Sequence, residues 1–250
     1  SDCGKFKTYA CKLKLLIEAW RKQYRSPDGR PLFVVVVQMH AFQDQPARVV
    51  AMRQIQQDVS QEVTNVALAT AYDTTPTSVH PMNKTRTALR VAQATILHYY
   101  SGHPIRLPGP ILQSVSDARP IGTDRYEILL QLDFSAPTPR YLQATATDTI
   151  VTHTQCLTAG TFEIDDHTCT NNWRPVTTVE IDVKAYQILL LVRSSKPPGA
   201  LRYNKKLSSV CAVYSDSGQM DPMLPFVRPV PWAGAHGMLE CDKCCGPIPS

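Results

Sequence analysis

The 250-residue chain has no apolar run approaching the roughly 20 residues that a membrane-spanning helix needs. Its best stretch, Leu32 to Val37, is strand length, so no membrane span and a soluble chain are expected. A clustered Lys/Arg stripe with interleaved aromatics is also missing: 26 basic and 21 acidic residues spread along the whole length for a net charge of +5. No nucleic-acid partner is expected, because phosphate recognition needs basic charge gathered on one face. There is no internal repeat and no low-complexity tract. An initiator Met and a basic leader ahead of an apolar core are absent too, so any secretion signal is expected upstream of Ser1.

What is present is a composition that can fold: 43% of the residues are apolar, enough for a substantial core. Eight cysteines, at 3, 11, 156, 169, 211, 241, 244 and 245, exceed ordinary cytosolic usage and favour an oxidising compartment. Cys156 and Cys169 are read as a disulfide closing a loop. Cys241, Cys244 and Cys245 form a CxxCC group that offers thiolates to zinc, but a single CxxC without a second pair is more often disulfide-bonded, and no metal is assigned. Asn83-Lys84-Thr85 is a glycosylation triplet, with Asn83 as the acceptor.

The first part of the chain alternates helical and strand signals. Tyr9, Leu13, Leu16, Ile17, Trp20 and Tyr24 recur at helical spacing and predict an amphipathic helix. After the turn Ser26-Pro27-Asp28-Gly29, the unalternating run Leu32 to Val37 predicts a parallel strand covered on both faces. Arg48 to Val59 is a second helix, Val66 to Tyr72 a second buried strand, and Lys84 to Tyr100 a third helix that stops at Ser101-Gly102. This order is the α/β pattern.

Beyond Pro104 the texture changes to short β-type segments: Ile111–Val115, Arg125–Phe134, Thr145–Val151, Val179–Ile181 and Gln187–Val192, separated by Pro, Gly, Ser and Asp turns. A small all-β, sandwich-like domain is expected there. The predicted boundaries are an α/β domain over 1–104, the β domain over 105–232 and a Cys-rich tail over 233–250.

Functional groups in open α/β sheets gather in loops at the carboxyl ends of parallel strands. The loop from Asp73 to Pro81 directly follows the second strand, and His80-Pro81 stands near its end. The proline pushes His80 toward extended geometry, which ends the loop before the third helix and can hold the imidazole against a cleft. Taken alone, His80 is better explained as an ordinary loop histidine.

The wider constellation resembles the sialate O-acetylesterase family, a branch of the serine hydrolases named for their Ser, Gly, Asn and His blocks (SGNH). Leu15-Leu16-Ile17-Glu18-Ala19-Trp20-Arg21 is similar to that family's Leu-Ile-x-Asp-Trp-Arg helix, Val37-Gln38 to its strand end, and Met52-Arg53-Gln54-Ile55-Gln56 to its Leu-Arg-x-x-Gln segment. Val79-His80-Pro81-Met82-Asn83-Lys84 with Arg90 resembles the family's Ile-His-Pro-x-Asn/Asp-Lys and following Arg. Ala200-Leu201-Arg202-Tyr203, Cys211 and Leu224-Pro225-Phe226 resemble the end of its β domain.

The resemblance implies the C-terminal portion of a partial three-layer α/β/α domain of SGNH type followed by a small β domain. It implies hydrolysis of O-acetyl esters on sialic acids or other acetylated sugars, with no cofactor and a secreted or lysosomal location. His80 becomes the general base for a serine hydroxyl. The family's Gly-Gln-Ser-Asn nucleophile block has no counterpart in these residues, so the partner is an N-terminal portion of the same enzyme and the chain alone is expected to be inactive. Ser1-Asp2 match only the last two residues of the oxyanion block. Gln38, Arg53 and Gln56 are the substrate-binding candidates; for Arg53 and Gln56 the other reading is pairing along a helix face. The family's acid, two or three residues before the histidine, is replaced here by Thr77 and Ser78. Asp73 is the only carboxylate in the loop, and it either orients His80 or serves as a strand-end cap or turn residue. A backbone carbonyl or a water orients the imidazole equally well. The alternative function is an inactive, esterase-like binding or structural protein.

Overall fold

A computed structural model describes residues 3–24, 29–40, 46–73, 83–101, 109–133, 142–146, 161–165, 172–182, 185–205, 211–215 and 222–231. The chain divides into two compact units, the main part of the first over residues 1–108 and the second over residues 109–246.

The first unit begins with helix α1, Cys3–Gln23. Strand β1, Val34–Val37, and strand β2, Val66–Ala69, pair in parallel with Val34 beside Val66 and Val37 beside Ala69, and helix α2, Pro46–Glu62, connects them. Helix α3, Thr85–Thr95, follows and runs into one π-helical turn, Ile96–Tyr100. The reversal between α2 and β2 is made by Asn65, which adopts a left-handed φ of 58°. Asparagine tolerates that conformation, and here its Nδ2 also donates to the Pro31 carbonyl at 2.9 Å. Arg21 of α1 donates to the carbonyls of Leu32 and Thr64, which ties the helix to the chain just ahead of both strands. Lys14 pairs with Glu62 across α1 and α2, and that carboxylate holds the ammonium above its ordinary pKa.

The two strands differ in cover. All four residues of β2 are buried, together with Thr70, Ala71, Tyr72 and Asp73 beyond it. In β1 only Val36 is buried, Val34 and Val35 are half-buried, and Val37 is 46% exposed. The expectation of a strand covered on both faces therefore fits β2 and not β1. The apolar stripe of α1 splits in the same way: Ile17 is buried and Tyr9 and Leu13 partly so, whereas Leu16, Trp20 and Tyr24 lie 44%, 40% and 61% exposed.

The second unit is built from antiparallel strands. β3 (Ile111–Val115), β5 (Arg125–Asp133), β10 (Gln187–Arg193) and β9 (Thr178–Asp182) are neighbours in that order, and the short β4 (Arg119–Pro120) also pairs with β5. A second sheet runs β13 (Phe226–Pro229), β11 (Ala200–Tyr203), β7 (Phe162–Asp165) and β8 (Arg174–Pro175), and β12 (Cys211–Ser215) pairs with β6 (Leu142–Ala146). In β5 and β10 the alternate residues Ile128, Leu130, Leu132 and Ile188, Leu190, Val192 point inward, as strand periodicity requires. They join Phe162, Ile164, Leu201, Tyr203 and Phe226 from the second sheet in one apolar cluster. Burying each such side chain is worth about 1.5–3 kcal/mol. The Tyr203 ring lies 4.8 Å from that of Phe162 and 5.5 Å from that of Phe226, and its hydroxyl accepts the Val213 N–H at 2.8 Å, which links β12 to the core.

The strands β7, β11, β12 and β13 are only four or five residues long each. In β7 all four residues of Phe162-Glu163-Ile164-Asp165 are buried, two of them acidic. Glu163 is accommodated by Arg202 of the adjacent strand at 2.8 Å, whose guanidinium in turn covers the Trp173 ring. The division between the two units falls at residues 108/109. Among the described residues no helix is long and apolar enough to cross a membrane.

Candidate functional site

The carboxyl ends of β1 and β2 bring together most of the residues singled out from sequence. Gln38 follows β1 and continues the parallel ladder, its N–H donating to the Ala69 carbonyl at 2.9 Å. It is buried, its Nε2 reaches the Arg53 carbonyl at 3.5 Å, and its Oε1 has no hydrogen-bond partner among the described residues. Thr70, directly after β2, is likewise buried, with a hydroxyl that finds no partner among the described residues.

Arg53 and Gln56 stand on α2. Both reach across to the chain leaving β1. Gln56 Oε1 accepts the Met39 N–H at 2.9 Å, while its Nε2 lies 3.4 Å from the Val37 carbonyl and 3.3 Å from the Tyr9 hydroxyl of α1. Arg53 Nε donates to the Met39 carbonyl at 2.7 Å, and its guanidinium stands 6.0 Å from the centre of the Tyr72 ring. Burial pushes the Arg53 pKa down to about 10, against the opposing pull of Tyr72 and Asp73, so it keeps its charge at neutral pH. One amide and one guanidinium thus fix the position of residues 37–39, where the strand turns into the next loop.

Asp73 is buried at the end of β2 and meets Arg90 of α3 in a two-pronged pair: Nη1 to Oδ1 and Nη2 to Oδ2, each at 2.7 Å. Arg90 Nη1 also donates to the Thr70 carbonyl at 2.9 Å, and Arg86, one helical turn earlier, approaches Asp73 at 3.6 Å. The fork geometry of a guanidinium matches a carboxylate, and such charge-assisted bonds are about twice as strong as neutral ones. The consequence is mechanical. The start of the loop at Asp73 is locked to α3, and its far end at Asn83 is fixed too, where Oδ1 accepts the Thr85 N–H at 3.0 Å ahead of α3. Asn83, the glycosylation candidate, is exposed.

The loop between these anchors, residues 74–82, lies outside the described residues, and His80 with it. Cys156, Cys169, Cys241, Cys244 and Cys245 lie outside them as well; Cys11 is an exposed free thiol. Among the described residues no group of three or more His, Cys, Asp or Glu is arranged to hold a metal ion. Sequence reasoning named Asp73 and Arg90 separately and missed their pairing, and it missed Tyr9, Thr70 and Arg86. Arg86 carried a signal, since it stands four residues before Arg90 and so shares its helix face. Thr70 carried another, as the polar residue in an otherwise apolar run.

No protein-family model and no curated protein matches the chain. Among solved structures, a carbohydrate acetylesterase from Xanthomonas citri has a similar fold, with a TM-score of 0.63 at 20% sequence identity over 91% of this chain and 47% of that one. The chain therefore spans about half the length of that structure, and the likeness is one of fold.

Proposed function

We propose that this chain is part of a carbohydrate O-acetylesterase of SGNH type that removes O-acetyl groups from sialic acids or related acetylated sugars, acting with an N-terminal portion that carries the serine. The observation that supports the reading is the Asp73–Arg90 pair, which fixes the chain at the end of the buried strand β2 directly ahead of residues 74–82, in a fold similar to that of a carbohydrate acetylesterase. In the sequence His80 follows this strand end, where an α/β hydrolytic site takes its base.

In this mechanism His80 takes the proton from the serine hydroxyl as the oxygen attacks the acetyl carbonyl. The tetrahedral adduct collapses, the C–O bond to the sugar breaks, and His80 returns the proton to the departing alcohol. Water, deprotonated by the same imidazole, then attacks the acetyl-serine ester; the bond from the acyl carbon to the serine oxygen breaks, the imidazolium returns the proton to that oxygen, and acetate leaves. Asp73 holds the start of the loop through Arg90, and it is the carboxylate proposed to orient His80. Gln38, Arg53 and Gln56 shape the floor beside the sugar by fixing residues 37–39, and Arg53 supplies a cation suited to the sialic acid carboxylate. A secreted or lysosomal location completes the reading, with disulfide Cys156–Cys169 and a glycan on Asn83.

A fluorophosphonate probe, which labels only activated serines, tests this. The complete gene product is expected to be labelled at a serine outside residues 1–250, and His80→Ala to slow labelling by about 10²–10⁴-fold, the usual contribution of a general base. Labelling that persists at the same rate in His80→Ala removes His80 from the mechanism. A complete gene product that takes no label favours the inactive, binding or structural role.

A further inference from the structure

The carboxyl end of β2 holds more positive charge than Asp73 needs. Arg90 meets that carboxylate with both arms of its guanidinium at 2.7 Å, and both groups are buried. One buried anion is thereby matched by one buried cation. Arg86 comes on top of this balance. Its Nη1 stands 3.6 Å from Asp73 Oδ2, beyond hydrogen-bond reach, and this is its one ion pair among the described residues. A third guanidinium, that of Arg53, is buried on α2 and attracted to the same carboxylate.

The chain around Arg86 does nothing to offset the surplus. No Asp or Glu occurs between Asp73 and Asp117, a stretch that carries Lys84, Arg86, Arg90 and Arg106. The first turn of α3 has no acidic residue, so the positive end of the helix adds to the same charge. Holding Asp73 requires Arg90 alone.

Exposure separates the three arginines. The side chain of Arg90 is 1% exposed, and Arg53 is buried with its Nε on the Met39 carbonyl, whereas the side chain of Arg86 is 36% exposed. Of the three, Arg86 is the one that a ligand can meet. It lies one helical turn before Arg90 on the same face of α3. Asp73 is close to it in space and Asn83 three residues before it in the chain, and residues 74–82, with His80, run between those two.

We propose that Arg86 is a specificity-determining residue of this site: it receives the carboxylate of the sugar, so that the acetylated substrate is an acidic sugar and not a neutral one. The planar fork of a guanidinium matches a carboxylate. Arg53 and the first turn of α3 attract the same group from farther away. The acetylated-sugar reading supplies the nature of the ligand, on which this role rests; the surplus charge stands without it. Sialic acids and uronic acids both offer a ring-bound carboxylate, and the two are separated by experiment.

Calorimetric titration of the complete gene product at low ionic strength with N-acetylneuraminic acid, with galacturonic acid and with the methyl ester of each tests this without requiring turnover. At least one acid is expected to bind more tightly than its methyl ester, and the tighter of the two acids names the sugar. Arg86→Gln is expected to weaken that acid at least about tenfold, the usual worth of a hydrogen bond to a charged group, and to leave the ester as it was. Arg86→Lys keeps the charge without the fork and should recover part of the loss. Added salt should narrow the gap between acid and ester, because exposed charges are screened. An acid that binds wild type and Arg86→Gln equally overturns the role of Arg86, as does an acid that binds no better than its ester. Acid and ester weakened alike by Arg86→Gln also overturn it, since a purely structural effect through Asp73 would do that. Acid-selective binding without serine labelling refutes the esterase reading alone, and labelling without acid-selective binding refutes the role of Arg86 alone.

Discussion

The two units of this chain bury their apolar residues very differently. In the unit over residues 109–246, seventeen buried apolar residues among those described, twelve of them from two sheets, form one cluster. In the unit over residues 1–108, β2 is fully buried while β1 and α1 keep apolar surface open. Of the large apolar side chains that are exposed among the described residues, nine belong to the first unit and only Ile121 and Val227 to the second. Composition does not explain this, since a strand of four valines is as apolar as any in the molecule. The antiparallel unit closes on itself, whereas the parallel one has strand ends and an edge that need further layers. The open unit is also the one with the buried Asp73–Arg90 pair and the proposed catalytic loop.

The comparison can be broken most forcefully in the second unit. Phe162→Ala removes a fully buried ring packed on Tyr203 and is expected to cost about 3–5 kcal/mol, measured by urea unfolding followed through the β-domain signal. A loss below about 1 kcal/mol would mean that this core is looser than its burial indicates. In the first unit the strongest expected effect is electrostatic. Arg90→Ala leaves Asp73 buried without its guanidinium and is expected to cost about 3–5 kcal/mol, whereas the double change Asp73→Leu with Arg90→Met should recover most of it. If the double change is as damaging as the single one, the pair does more than neutralise charge. The smallest effect sharpens the contrast: Trp20→Ser, at 40% exposure, should shift the stability of residues 1–250 by no more than about 0.5 kcal/mol.

Much of the first unit was legible in the sequence because its signals are local and periodic. The helical spacing of Tyr9 to Tyr24, the valine run and the apolar stretch from Val66 each specify an element, and the elements lie within a few residues of their expected limits. Periodicity could not tell which side of α1 has a partner, so Trp20 and Tyr24 read as core and are exposed. In the second unit β5 and β10 were legible as long apolar strands, but β7, Phe162-Glu163-Ile164-Asp165, is only four residues long, and Glu163 is buried against the cross-strand Arg202 rather than left in water. At the site, Gln38, Arg53 and Gln56 were named from resemblance, and the structure brings them together around residues 37–39. The Asp73–Arg90 fork spans a loop, and no local spacing encodes such a pair.

The central claim is that His80, at the end of the Asp73-anchored loop, acts as the base of a sugar O-acetylesterase. Acetate release from O-acetylated sialic acid by the complete gene product, with and without His80→Ala, measures it most directly. A fall of about 10²–10⁴-fold in kcat/KM is predicted for the variant, and equal rates for the two proteins would contradict the account.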